Sequence, residues 1–221
     1  MVTGNVAPAA YAMRPNPYTI LAGTTWWRVH HRSRSPEQFN PVSVDAHFGG
    51  NRFDGTSYDP YAYIYLASDP ATALAETLLR SLDFDTETGT RLVPYAAVAN
   101  KSLSMVRTQT DQQLISLITE EDLAAVCQDS WLLETEGDGY AKTRRWASEM
   151  RAQVPHATGL VWQSRRHRPR LATVLFHDRC GKQPLTAVPV NEFQDLGSPE
   201  GVAAVNRLLA PLRAAIVAPW R

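Results

Sequence analysis

Tyr61-Ala62-Tyr63-Ile64-Tyr65-Leu66-Ala67 runs straight into Ser68-Asp69-Pro70-Ala71-Thr72-Ala73-Leu74-Ala75-Glu76. The first half is aromatic and aliphatic with no breaker, so 61–67 reads as a buried strand. Asp69 is placed to cap a helix, and Pro70 suits a first turn, where no backbone N–H is needed. Along that helix Ala71, Leu74, Ala75, Leu78, Leu79 and Leu82 fall on one apolar arc. Glu76 falls outside the arc, on the polar side.

Upstream, Thr25-Trp26-Trp27-Arg28-Val29-His30 reads as another buried strand, and 33–60, polar and rich in Gly, Pro and Asp, as a long loop. Loops of that length inside a compact domain usually serve a function. Downstream, 91–99 and 102–106 read as strands and about 110–154 as mostly helical, clearest at 140–147. Strands follow at 159–163 and 171–177, then a helix near 200–216. Strands at both ends with helices between them favour a mixed α+β domain over a doubly wound parallel sheet. The expected organisation is a partly extended lead-in at 1–24, a domain at 25–180 and an extension at 181–221.

Lys plus Arg and Asp plus Glu both number 22 in the 221 residues, so the net charge is zero. A general nucleic-acid binder draws its affinity from excess positive charge, so that class is disfavoured. Cys127 and Cys180 lie far apart without a CxxC pattern, which fits a reduced, cytoplasmic protein. No apolar run approaches the roughly 20 residues of a membrane span. There is no GxGxxG or GxxxxGK[ST] loop, and no HExxH or Cys/His cluster among the six histidines, so no metal is expected.

Several polar residues interrupt apolar frames. Arg28, beside Trp27 and Val29, reads either as a strand-end Arg reaching solvent or a structural carboxylate, or as a phosphate clamp. Arg52, in Gly49-Gly50-Asn51-Arg52-Phe53, reads as a solvated loop residue. Tyr61, Tyr63 and Tyr65 share a strand face and read as core. Glu76 alone is a surface carboxylate, yet such a group beside a ribose stabilises a developing oxocarbenium ion. Ser164 closes Gly159-Leu160-Val161-Trp162-Gln163 without a GxSxG elbow, so its role is hydrogen bonding and not acylation. Arg165-Arg166-His167-Arg168-Pro169-Arg170 is either a solvated hairpin or an electrostatic funnel for a dinucleotide. The competing function is a non-catalytic binding module that uses this run for RNA or a protein partner, with zero net charge weighing against RNA.

Taken in order, Trp27-Arg28-Val29, Gly50-Asn51-Arg52-Phe53, Tyr65-Leu66-Ala67-Ser68-Asp69-Pro70 with Ala73 and Glu76, and Val161-Trp162-Gln163-Ser164-Arg165-Arg166 resemble the RES family. That family is named for its Arg, Glu and Ser, and its members are NAD-degrading toxins of bacterial toxin–antitoxin pairs. The resemblance implies a fold like the diphtheria-toxin-like ADP-ribosyltransferases, a strongly bent β core with helices around it and NAD in the cleft. It implies Arg28, Glu76 and Ser164 as catalytic residues and Arg52, Tyr65 and Arg166 as substrate-binding ones. NAD would be consumed as substrate, with phosphate or water as acceptor, or a protein in an ADP-ribosyltransferase. It also implies a separate antitoxin partner that obstructs the cleft. The 181–221 extension has no counterpart in this resemblance and can serve as a packing helix, a homo-oligomer contact or a lid.

Overall fold

The computed structural model describes residues 8–190 and 193–217. The start of the lead-in and parts of the C-terminal extension (191–192 and 218–221) lie outside the described residues. In chain order the elements are β1 (Pro17–Ile20), β2 (Thr25–His31), β3 (Tyr63–Ala67), α1 (Pro70–Leu78), β4 (Arg91–Pro94), β5 (Lys101–Thr108) and β6 (Gln112–Leu117). Then come α2 (Glu120–Ala125), α3 (Trp131–Glu134), α4 (Tyr140–Gln153), β7 (Gly159–Gln163), β8 (Leu171–Phe176), β9 (Leu185–Val188), α5 (Pro199–Leu209) and β10 (Ala214–Val217). Eight strands form one sheet in the order β1-β6-β7-β8-β3-β2-β5-β9, and β10 pairs with β4 in a small parallel sheet.

The main sheet is curled, and its core shows why. Ile20 from one edge strand and Leu185 from the other join one apolar cluster with Trp26, Ile64, Leu66, Val106 and Leu175. On β3 the side chains alternate, as a strand requires. Ile64 and Leu66 enter that inner cluster, while Tyr63 and Tyr65 face a second one with Phe53, Trp146 and Trp162. Helix α1 buries Leu74, Ala75 and Leu78, with Leu79 just beyond its end, in a third cluster shared with α5 and β4. Each such leucine contributes about 1.5–3 kcal/mol of burial. The expected mixed α+β fold with a bent β core is the fold observed.

The helix start follows the sequence reading. Asp69 accepts from the Thr72 N–H at 3.0 Å and the Thr72 hydroxyl at 2.6 Å, and Pro70 occupies the first turn. Three segments differ from expectation. The helix expected near 200–216 ends at Leu209, and Ala214–Val217 is β10, paired with β4. Gln112–Leu117, expected as helix, is β6, paired parallel with β7 and antiparallel with β1. The 91–99 strand stops at Pro94 and turns over Tyr95–Ala97.

One irregularity positions the site. β2 and β3 meet at a single register pair, Trp27 opposite Ala67. Beyond it the sheet splits, and loop residue Asn40 takes the place of β2 beside Tyr63, with backbone hydrogen bonds of 2.7 and 3.0 Å. Arg28 fastens this wedge, donating from Nη1 to the carbonyls of Pro36 and Gln38, each at 2.8 Å.

Candidate active site

A cleft of about 590 Å³ opens at the split, walled by Trp27 and Arg28 of β2, Tyr65 of β3, Glu76 of α1, and Arg80 and Tyr140. Glu76 reaches it because α1 buries its apolar arc and leaves the polar side over the sheet. Its carboxylate is only 15% exposed. Oε1 accepts a 2.6 Å hydrogen bond from the Ser164 hydroxyl, and Oε2 lies 3.9 Å from the Arg80 guanidinium. Ser164 is wholly buried at the end of β7, where its N–H donates to the Arg170 carbonyl and closes the hairpin. The Glu and Ser picked from distant stretches of sequence therefore touch.

Tyr65 offers the cleft its ring and not its hydroxyl. The O–H donates to Asp54 Oδ1 at 2.9 Å and accepts from the Phe53 N–H at 2.9 Å. Burial, reinforced by the Asp54 charge, pushes its pKa well above the ordinary phenol value. Trp162 packs edge-on against it at 6.3 Å. Burial pushes the Arg28 guanidinium down to about 10, with Arg34 acting the same way and Glu37 opposing, so Arg28 is a cation at neutral pH. Its Nε is buried without a hydrogen-bond partner.

Arg52 and Arg166 stand behind the cleft wall. Arg52 is nearly fully buried, donates to the Thr135 carbonyl at 3.2 Å and lies 5.5 Å from the Tyr140 ring centre. Burial lowers its pKa, against the pull of Tyr140. Arg166 donates to the Arg80 carbonyl at 2.6 Å. The rest of the basic run is largely matched by acids. Arg165 pairs with Glu136 at 3.1 Å, Arg168 with Glu134, and His167 Nδ1 meets the Thr72 hydroxyl at 2.8 Å.

Sequence reasoning missed Arg80, Tyr140 and Asn51. Arg80 donates to Asn51 Oδ1 at 3.1 Å and lies 5.7 Å over the Tyr140 ring. Burial opposes its charge, but Tyr140, Glu76 and Tyr65 outweigh it and hold the pKa above the usual guanidinium value. A signal existed: Arg80 is four residues beyond Glu76, the spacing of helical ion pairs. Among the described residues, no group of three or more His, Cys, Asp or Glu is placed to hold a metal ion, and no helix is long and apolar enough to cross a membrane. Both cysteines are free.

The family model of the RES domain matches residues 25–194, from β2 through β9 and including every cleft residue named above. The chain belongs to the RES family. The RES fold here is similar to the crystal structure of the M. tuberculosis MbcT–MbcA toxin–antitoxin complex, with TM-score 0.59 and 18% identity over 87% of this chain and 92% of that one. At that identity the likeness is one of fold. No curated protein sequence matches significantly.

Proposed function

We propose that this RES protein consumes NAD by cleaving the nicotinamide–ribose bond, and acts as the toxin of a toxin–antitoxin pair in the cytoplasm. The observation that carries the reading is the Ser164–Glu76 contact of 2.6 Å at the edge of a cleft walled by Arg28, Arg80, Tyr65 and Tyr140. As the bond to nicotinamide breaks, positive charge grows on the ribose. Glu76 supplies the opposing charge, oriented beforehand by Ser164, so little reorganisation is needed in the transition state. The Tyr65 ring offers a face for the planar nicotinamide end. Arg28 attracts the pyrophosphate or an acceptor phosphate, and Arg52 and Arg166 support that wall from behind.

With phosphate as acceptor the products are nicotinamide and ADP-ribose 1″-phosphate; with water they are nicotinamide and ADP-ribose. The Arg28 cation at the cleft favours the anionic acceptor. Transfer to a protein side chain is the alternative for the same carboxylate. The partner would be a separate antitoxin that fills the cleft.

Mass spectrometry of NAD incubated with purified protein, with and without phosphate, tests this. Phosphate-dependent ADP-ribose 1″-phosphate is the expected product. Free ADP-ribose in both conditions would make the enzyme a hydrolase, and a protein-bound ADP-ribose adduct a transferase. Intact NAD in the presence of folded protein overturns the reading.

A further inference from the structure

We propose that Arg80 is a positioning residue which, through Asn51 and Asp54, holds Glu76 and Tyr65 in fixed relation across the cleft; the proposal rests on the NAD-cleaving reading. Arg80 lies just past the end of α1, and its side chain is 21% exposed. Both its ends are held. Its carbonyl accepts from Arg166 at 2.6 Å, and its guanidinium spans from 3.9 Å off Glu76 Oε2 to Asn51 Oδ1 at 3.1 Å. Asn51 continues the path, donating its backbone N–H at 2.8 Å and its side-chain amide at 3.2 Å to Asp54 Oδ2. The other Asp54 oxygen accepts the Tyr65 hydroxyl at 2.9 Å.

A carboxylate on α1 and a phenol on β3 are thus joined by three side chains that cross the loop between β2 and β3. The Arg80–Glu76 separation of 3.9 Å is too long for a hydrogen bond, so Arg80 acts on Glu76 by charge. Ser164 acts on the other oxygen by hydrogen bonding. Two different holds on two oxygens leave the carboxylate one orientation. Tyr140, with Arg52 and Arg80 over its ring at 5.5 and 5.7 Å, keeps the guanidinium from swinging away.

The test measures NAD cleavage by wild type, Arg80→Gln, Arg80→Lys, Glu76→Gln and the Arg80→Gln/Glu76→Gln double variant. Arg80→Gln should lower kcat about 10- to 100-fold, as loss of orientation does, with KM for NAD within about 3-fold. Arg80→Lys should recover part of kcat, since charge returns without the planar fork. In the Glu76→Gln background the Arg80 change should cost less than about 2-fold more, because the two act as a unit. Losses that multiply, or a loss in KM alone, would make Arg80 an independent substrate ligand and overturn the proposal. Asn51→Ala should reproduce a smaller share of the kcat loss, and it serves alone if Arg80→Gln does not fold; unchanged kcat there overturns the relay. A crystal structure of Arg80→Gln gives a readout free of turnover. Glu76 should leave Ser164 or split between rotamers, and a single unchanged Glu76 overturns the proposal. If wild type leaves NAD intact, the functional reading fails by itself and the crystal structure still decides the role of Arg80.

Discussion

A hydrogen bond from a wholly buried serine to an ionised carboxylate is worth about 1.5–3 kcal/mol, and at Ser164–Glu76 it is drawn at 2.6 Å. That energy fixes one carboxylate oxygen of Glu76, while Arg80 acts on the other from 3.9 Å. Glu76→Gln should keep fold and NAD affinity while lowering turnover at least roughly 100-fold, because an electrostatic transition-state contribution is removed. Ser164→Ala should cost about 10- to 100-fold in kcat through misorientation, and bound NAD in calorimetry should change little. Near-normal turnover in folded Glu76→Gln protein would sink the assignment of the carboxylate. At this scale Arg28 and Glu76 stand out from their frames in the sequence, while Tyr65, core by its own pattern, is singled out by the family resemblance; all three line one cleft. The sequence does not show how they are used. The Tyr65 hydroxyl is spent on Asp54, and the Ser164 hydroxyl on Glu76. Hydroxyl partners are chosen by tertiary folding, and strand periodicity carries no trace of them.

The loop from 33 to 60 forms the outer wall of the split, and an arginine from α4 holds it. Arg144, 2% exposed, donates to the carbonyls of Gly49 at 2.7 Å, Asp45 at 3.1 Å, Asn51 at 3.3 Å and Ala46 at 3.5 Å. Gly49 and Gly50 take φ of 62° and 70°, the left-handed region that glycine enters without strain, which turns these carbonyls inward. Arg144→Ala should therefore destabilise the fold by about 2–4 kcal/mol and lower the melting temperature by roughly 5–15 °C. Hydrogen exchange should rise first at 45–54. Calorimetry giving a shift under about 2 °C would mean that the loop holds itself. The length of the loop was legible as a sign of function; its anchor was not, because Arg144 lies far along the chain in a helix that reads as polar. β6 was misread for a related reason. Gln112–Leu117 has one β-branched residue and weak strand character of its own, and it becomes a strand by pairing with β1 and β7 on either side.

Net charge is zero, and in the basic hairpin Arg165 and Arg168 are matched by Glu136 and Glu134. At the cleft, Arg28 and Arg80 stand on a wall shared with Glu76. Such a molecule attracts a small anionic substrate more readily than a nucleic acid. Expression in bacteria without a partner gene should accordingly deplete NAD and then stop growth. The Glu76→Gln variant, folded but lacking the reacting-centre charge, should do neither. An enzyme turning over at about 1 to 1000 per second exhausts a metabolite pool quickly, so NAD followed by enzymatic cycling should fall before viability does. A partner that restores growth should do so by placing acidic or C-terminal carboxylate groups against Arg28 and Arg80, and charge reversal on that partner should abolish rescue. Growth arrest with level NAD would shift the activity to a macromolecular acceptor at the same carboxylate. Abundant soluble protein with neither effect would remove the toxin reading, because a competent cleft with no inhibitor in it cannot leave the pool untouched.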